Sequence, residues 1–224
     1  MLSGAIGVRA EEWRVPGERF VRSWARAWRG AGAAGDGLAW RGALLQRYAE
    51  PHRHYHTLQH LDECLAGFES VAGQTQQSAL VELALWFHDA IYDVRSKRNE
   101  EASADWAYQV LRGAGVSEEA AGRVHALVLV TRHDGVPQDA DACLLVDIDL
   151  SILGAERARF DQYERQIRAE YAHVPGLLFR FKRRQILRAF RDRPWIYATE
   201  SFRAELERPA RENLTRALGR PNSR

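Results

Sequence analysis

Lysine, methionine and cysteine are nearly missing from this sequence. Two lysines (Lys97 and Lys182), one methionine and two cysteines stand among 224 residues, and arginine supplies the remaining positive charge. That arginine excess reads as compositional bias. Cys64 and Cys143 lie in apolar helical stretches and form no CxxC pair, which excludes a disulfide framework and makes them small buried hydrophobes of a reducing compartment. An excess of one charge is also lacking. Against 30 acidic side chains stand 32 basic ones, and a formal charge of +2 does not build a basic nucleic-acid groove. No run reaches eighteen apolar residues, so no membrane span is expected. The opening MLSGAIGVRAEEW has no basic stretch followed by a long apolar one. No signal peptide is expected, and the location that follows is cytoplasmic.

Apolar and aromatic residues are plentiful. They reach 46% of the chain, with seven Trp, eight Phe and seven Tyr, enough to bury a sizeable core and to exclude global disorder. The pattern is helical almost throughout. Phe20, Val21, Trp24 and Trp28 recur near helical spacing before GAGAAGDG breaks the run. Residues 38–48 make a second helix, and Thr57 caps a third that runs to about Val71. Ser78 opens a markedly apolar fourth (ALVELALWFH), suited to the centre of a bundle. Asn99 and Ser117 cap the next two, and the apolar stretch 140–153 is read as helix because it has no strand neighbours. Further helices are expected at 155–172, 176–191 and 199–218. The fold class is therefore all-α, a single-domain helical bundle. Residues 1–40 form a helical extension packed on the main domain, 41–218 the domain itself, and 219–224 a flexible tail.

Histidine is unevenly spread. Three of the eight (His54, His56 and His60) fall within RHYHTLQH, and His88-Asp89 closes the apolar fourth helix. A His and an Asp there are costly unless something compensates them. A divalent cation does so by taking imidazole nitrogen and carboxylate oxygen together. A second apolar stretch, LLVDIDLSILG, adds Asp147 and Asp149. Three apolar helices thus each carry a polar group that a bundle core disfavours, and helix bundles build metal sites from such inward-facing side chains.

The order His, then His-Asp, then a distal Asp resembles the HD superfamily of metal-dependent phosphohydrolases. More narrowly, RHYHTLQH, LALWFHDAIYD, NEEASA, TRHD, DIDLSILG, RPWIY and ARENL are similar to a bacterial branch of predicted metal-dependent HD phosphohydrolases. The resemblance runs from about Tyr48 to Leu218 and makes 41–218 an HD-type helical domain. It implies His60, His88, Asp89 and Asp149 as metal ligands, with Asp147 ranked second to Asp149 because a two-residue offset leaves it on another face. It further implies one or two divalent ions (Mn, Fe, Mg or similar) and hydrolysis of a nucleotide or another small phosphorylated metabolite.

Around that set, Asp93, Glu100 and Glu101 are candidate proton-transfer or supporting groups, each alternatively a turn or helix-start acid. His56, one turn before His60, is a candidate to touch a second metal or the substrate, and His125 and His133 are candidates to complete a second ion. Arg53 is the first choice for a phosphate contact, followed by Lys97, Arg98, Arg132 and Arg183 or Arg184. His52 and His54 read as surface loop residues. Two other readings stand beside hydrolysis: a di-iron oxygenase using His56, His125 and His133, and a metal-retaining ligand-binding module without turnover. Nucleic acid and membrane are not expected partners, and a homo-oligomer stays open.

Overall fold

In the computed structural model of this chain, residues 16–135 and 137–219 are described. Ten α-helices and three short 3-10 turns make up the regular structure among them, with no strand. The first fifteen residues of the expected extension, and the tail beyond Gly219, lie outside the described residues.

α4 (Ser78–Phe87) is the axis of the bundle. Leu80, Val81 and Leu83 to Phe87 are all buried, and α1 (Pro16–Gly30), α3 (Leu58–Val71), α5 (Asn99–Gly113), α6 (Glu118–Leu129) and α7 (Ala140–Asp149) all pack around it. An all-round apolar helix has no solvent face to offer, so it takes the centre. Its one acid, Glu82, is buried and held by a forked ion pair with Arg26 of α1. α1 packs on α4 through its aromatic side chains. Trp24 stacks on Trp28 at 5.0 Å between ring centroids, sets its edge on Trp86 at 5.2 Å, and Trp86 Nε1 donates to Ser23 Oγ at 2.9 Å.

Local signals account for some helix starts. Thr57 Oγ1 accepts from Gln59 N at the head of α3, and Ser117 Oγ accepts from Ala120 N at the head of α6. Gly37 takes φ 62° before α2 (Leu38–Tyr48), where a Cβ would stand 2.6 Å from the Trp28 ring. Asn99 does not cap α5 as expected. It is the first helical residue, and its side chain reaches back to clasp Asp93, accepting from Asp93 N at 3.0 Å and donating to Asp93 O at 2.9 Å.

The second half wraps the core. A 3-10 turn, Leu150–Gly154, follows α7, and α8 (Arg157–Glu170), α9 (Gly176–Arg191) and α10 (Glu200–Gly219) come after it. Gly154 ends the turn because α10 comes too near for a side chain: a Cβ there would lie 2.7 Å from Leu206 Cβ.

Candidate metal centre and cleft

Four donors from two helices and the end of a third meet at a point. His60 on α3 and His88 just past α4 face each other, Nε2 to Nε2, at 3.0 Å. Asp89 Oδ2 stands 3.4 Å from His60 Nε2 and 3.1 Å from His88 Nε2. Asp149 Oδ1, from the last residue of α7, stands 3.3 and 3.6 Å from the same two nitrogens. Ligand atoms about 2.1 Å from an ion and at right angles to one another stand about 3.0 Å apart, so this spacing suits one cation.

Tautomer and charge agree with that fit. His88 Nδ1 lies 2.8 Å from Leu85 O, which keeps a proton on Nδ1 and turns Nε2 inward, to carry a proton or to meet a cation. Burial alone raises a carboxyl, yet the facing imidazoles hold Asp89 and Asp149 well below the usual carboxylate range. Burial alone lowers an imidazole, yet the carboxylates outweigh it at His88. At His60 the Cys64 thiol and Tyr55 hydroxyl act alongside them, and both rings stay well above their usual value. Two largely covered carboxylates, their side chains 16% and 13% exposed, therefore demand positive charge at this point, as protons on the imidazoles or as a cation.

A cleft of about 400 Å³ opens beside the cluster, lined by His56, Asp89, Tyr92, Lys97, Glu100, Arg132, His133 and Asp149 among others. His133 takes a left-handed backbone, φ 56°, at the end of the 3-10 turn 130–132. Its Nε2 sits 2.9 Å from Asp149 Oδ2 while its Nδ1 is buried without a hydrogen-bond partner among the described residues. Burial, with the charges of Asp89 and Glu101 behind it, raises Glu100 above the usual carboxyl value. Arg132 reaches Glu101 at 3.3 Å and Asp134 at 3.1 Å across the cleft wall.

Several residues expected at the site stand elsewhere. Arg53 is buried and is not among the residues that line the cleft. It donates to the carbonyls of His56, Asp89 and Ala90, pairs with Glu50 at 3.1 Å, and lies 5.4 Å from the ring centroids of Tyr48 and Tyr92. Those carbonyls turn inward around the His-Asp corner and need a donor, so the guanidinium is a brace for the backbone. Asp93 is exposed, and its carboxylate accepts from Arg95 N within its own turn. Arg98 occupies the exposed N-cap of α5, off the cleft lining. His125 pairs with Asp105 at 3.1 Å on the α5–α6 surface. Arg183 forms an ion pair with Glu164 and lies over the Tyr163 ring, behind the cleft wall. Asp147 turns to the opposite side of α7, where it accepts from Ala198 N, Thr199 N and Thr199 Oγ1.

The structure also brings in residues to which no role had been given. Cys64 lies four residues after His60 with Sγ 3.7 Å from either ring nitrogen. One ligand atom each from His60, Cys64, His88 and Asp149 falls within 4.8 Å of all the others, and such a group could hold a metal ion. The i, i+4 spacing was a usable signal. Glu170 had none. Its Oε1 accepts from the backbone N–H groups of His54, Tyr55 and His56 at 2.9, 2.7 and 3.0 Å, and its Oε2 meets His56 Nδ1 at 2.9 Å and the Tyr92 hydroxyl at 2.8 Å.

Comparison of the chain with protein-family models, curated proteins and solved structures finds no match. The functional reading therefore stands on the motifs and on this geometry.

Proposed function

We propose that the chain is a metal-dependent hydrolase of phosphate esters, acting on a nucleotide or another small phosphorylated metabolite. The observation that carries the reading is the convergence of His60 Nε2, His88 Nε2, Asp89 Oδ2 and Asp149 Oδ1 at one edge of a cleft that also presents Lys97 and Arg132. Their order along the chain is that of the HD superfamily which the sequence resembles. When bound, one or two divalent ions supply Lewis acidity and a water of lowered pKa. Paired imidazoles favour iron, manganese or zinc over magnesium in such a set.

The other tasks fall to side chains of the cleft. Lys97 and Arg132 attract the phosphoryl oxygens, Arg132 exchanging part of its hold on Glu101 and Asp134 for the substrate. Glu100, whose burial favours the protonated carboxyl, can hand its proton to the leaving oxygen. His56, anchored through Nδ1 by Glu170, presents its other nitrogen to the cleft. The di-iron oxygenase reading has less support, because His125 stands on the surface beside Asp105.

Elemental analysis of wild type beside a His88→Ala, Asp89→Ala double variant tests the reading, together with a phosphoester panel run with and without chelator. Near-stoichiometric metal and chelator-sensitive phosphate release, both lost in the double variant, are expected. Metal without turnover supports the binding module, two irons with oxygen consumption support the oxygenase, and no metal after anaerobic reconstitution removes all three.

A further inference from the structure

A single stripe of side chains holds α9 to the rest of the molecule. Phe179, Arg183, Leu187 and Phe190 recur at helical spacing and face inward. Phe179 meets Tyr171 at 6.1 Å between ring centroids, Arg183 pairs with Glu164, Leu187 is buried, and Phe190 meets His133 at 6.2 Å. The outward arc is unlike an ordinary solvated face. Leu177, Leu178, Phe181 and Ile186 are 75%, 50%, 59% and 48% exposed, more than single scattered apolar residues require. Lys182, Arg184 and Arg188 interleave with them. The helix carries six Arg or Lys and no Asp or Glu, although the whole chain balances 32 against 30.

That combination selects among occupants. A second copy on a two-fold axis would set this arc against itself, bringing the same cations together with no acid on the helix to pair them. An anionic bilayer suits both halves of the arc: the acyl boundary takes Leu and Phe, and the headgroups take Lys and Arg. No described helix is long and apolar enough to cross a membrane, so this contact lies on the surface. We propose that α9 is a peripheral docking helix for anionic lipid, with Leu177, Leu178 and Phe181 entering the interface and Lys182, Arg184 and Arg188 meeting the headgroups. Its inner stripe packs on Tyr171 and His133, two residues of the cleft wall, so docking holds that wall beside the bilayer. The inference does not depend on the chemistry of the cleft.

The test is flotation of the full chain with vesicles of phosphatidylcholine alone and of phosphatidylcholine with phosphatidylglycerol, at low and high salt. Two paired variants accompany the wild type, Leu177→Asp with Phe181→Asp and Lys182→Glu with Arg188→Glu, each checked for an unchanged melting transition. Binding to the anionic vesicles alone is expected, weakened about tenfold or more by either pair and by salt. Absence of binding, or binding by both variants equal to that of the wild type, overturns the proposal. So does loss with the charge pair alone, which leaves only a diffuse cationic attraction. Light scattering covers the absence of binding: a dimer dissolved by Leu177→Asp with Phe181→Asp, with vesicles unbound, assigns the face to a second copy.

Discussion

Glu170 and Arg53 are buried ions of opposite sign that brace the same His-rich loop from two sides. Glu170 accepts five hydrogen bonds, and although burial raises a carboxyl, those with the His56 ring and the loop amides bring it down to about 2 from 4.5. A depressed folded value means stability that is present above the unfolded value and lost as pH falls from about 4.5 through about 2. Glu170→Gln keeps an oxygen for the three amides but sets an NH₂ group against His56 and Tyr92. It should cost on the order of 3 kcal/mol at neutral pH and flatten the acid limb of a denaturation curve in that window. For Arg53, the three backbone carbonyls around its guanidinium decide the expected phenotype. Arg53→Lys retains the charge but not the fork, so a urea titration should show a loss of about 2 kcal/mol, with KM for a phosphoester unchanged. A clear rise in KM at intact stability would restore Arg53 to the substrate site.

α7 shows at the scale of an element how one residue type takes four positions. Asp139 is its own N-cap and accepts from Ala142 N at 2.9 Å. Asp141 is buried and accepts from Gln76 N and Gln77 N, the amides that lead into α4. Asp147 satisfies the amides that lead into α10, and Asp149 turns to the cluster. The last two are separated by about 200° around the helix, so a two-residue offset sends them to opposite sides. Asp147→Ala should lower stability by about 1–3 kcal/mol through orphaned amides and leave the metal content intact. Asp149→Asn should abolish metal retention with a smaller effect on the metal-free melt. Thermal melts paired with elemental analysis separate the two, and metal loss in Asp147→Ala would reverse the assignment.

For the whole molecule, the cluster ties together α3, α4 and α7, which pack on one another at the centre of the bundle. A ligand that binds only the folded arrangement stabilises all of it, by about 2.7 kcal/mol at a hundred times its dissociation constant. Adding manganese or iron(II) should therefore raise the melting temperature by roughly 5–10 °C, and His60→Ala should erase that rise. In the metal-free chain the carboxylates, joined at His60 by the Cys64 thiol and the Tyr55 hydroxyl, hold both imidazoles well above their usual value against the effect of burial. Metal and protons compete for the same nitrogens, so the metal-induced rise should shrink as pH falls. Melts across a pH series with and without metal measure this directly. A rise independent of pH would place the ion somewhere other than on these imidazoles.

Much of this architecture was legible in the sequence, because the forces that write it act over a few residues. Thr57 and Ser117 cap helices by contacts two or three residues away, and α4 is central because its apolar residues leave no polar face. The order of His60, His88, Asp89 and Asp149, and the four-residue step from His60 to Cys64, were equally present in the linear chain. Which partner stands opposite each polar atom was settled by packing between distant segments. Glu170 meets His54 across 116 positions, Asp147 meets Thr199 across 52, and Asp105 draws His125 to the surface across 20. Arg53 sits beside a histidine cluster in sequence, yet buried carbonyls 36 and 37 residues away claim its guanidinium. A buried polar group must be satisfied by whatever packing places within hydrogen-bond reach, and residue type and spacing along the chain do not encode that neighbour.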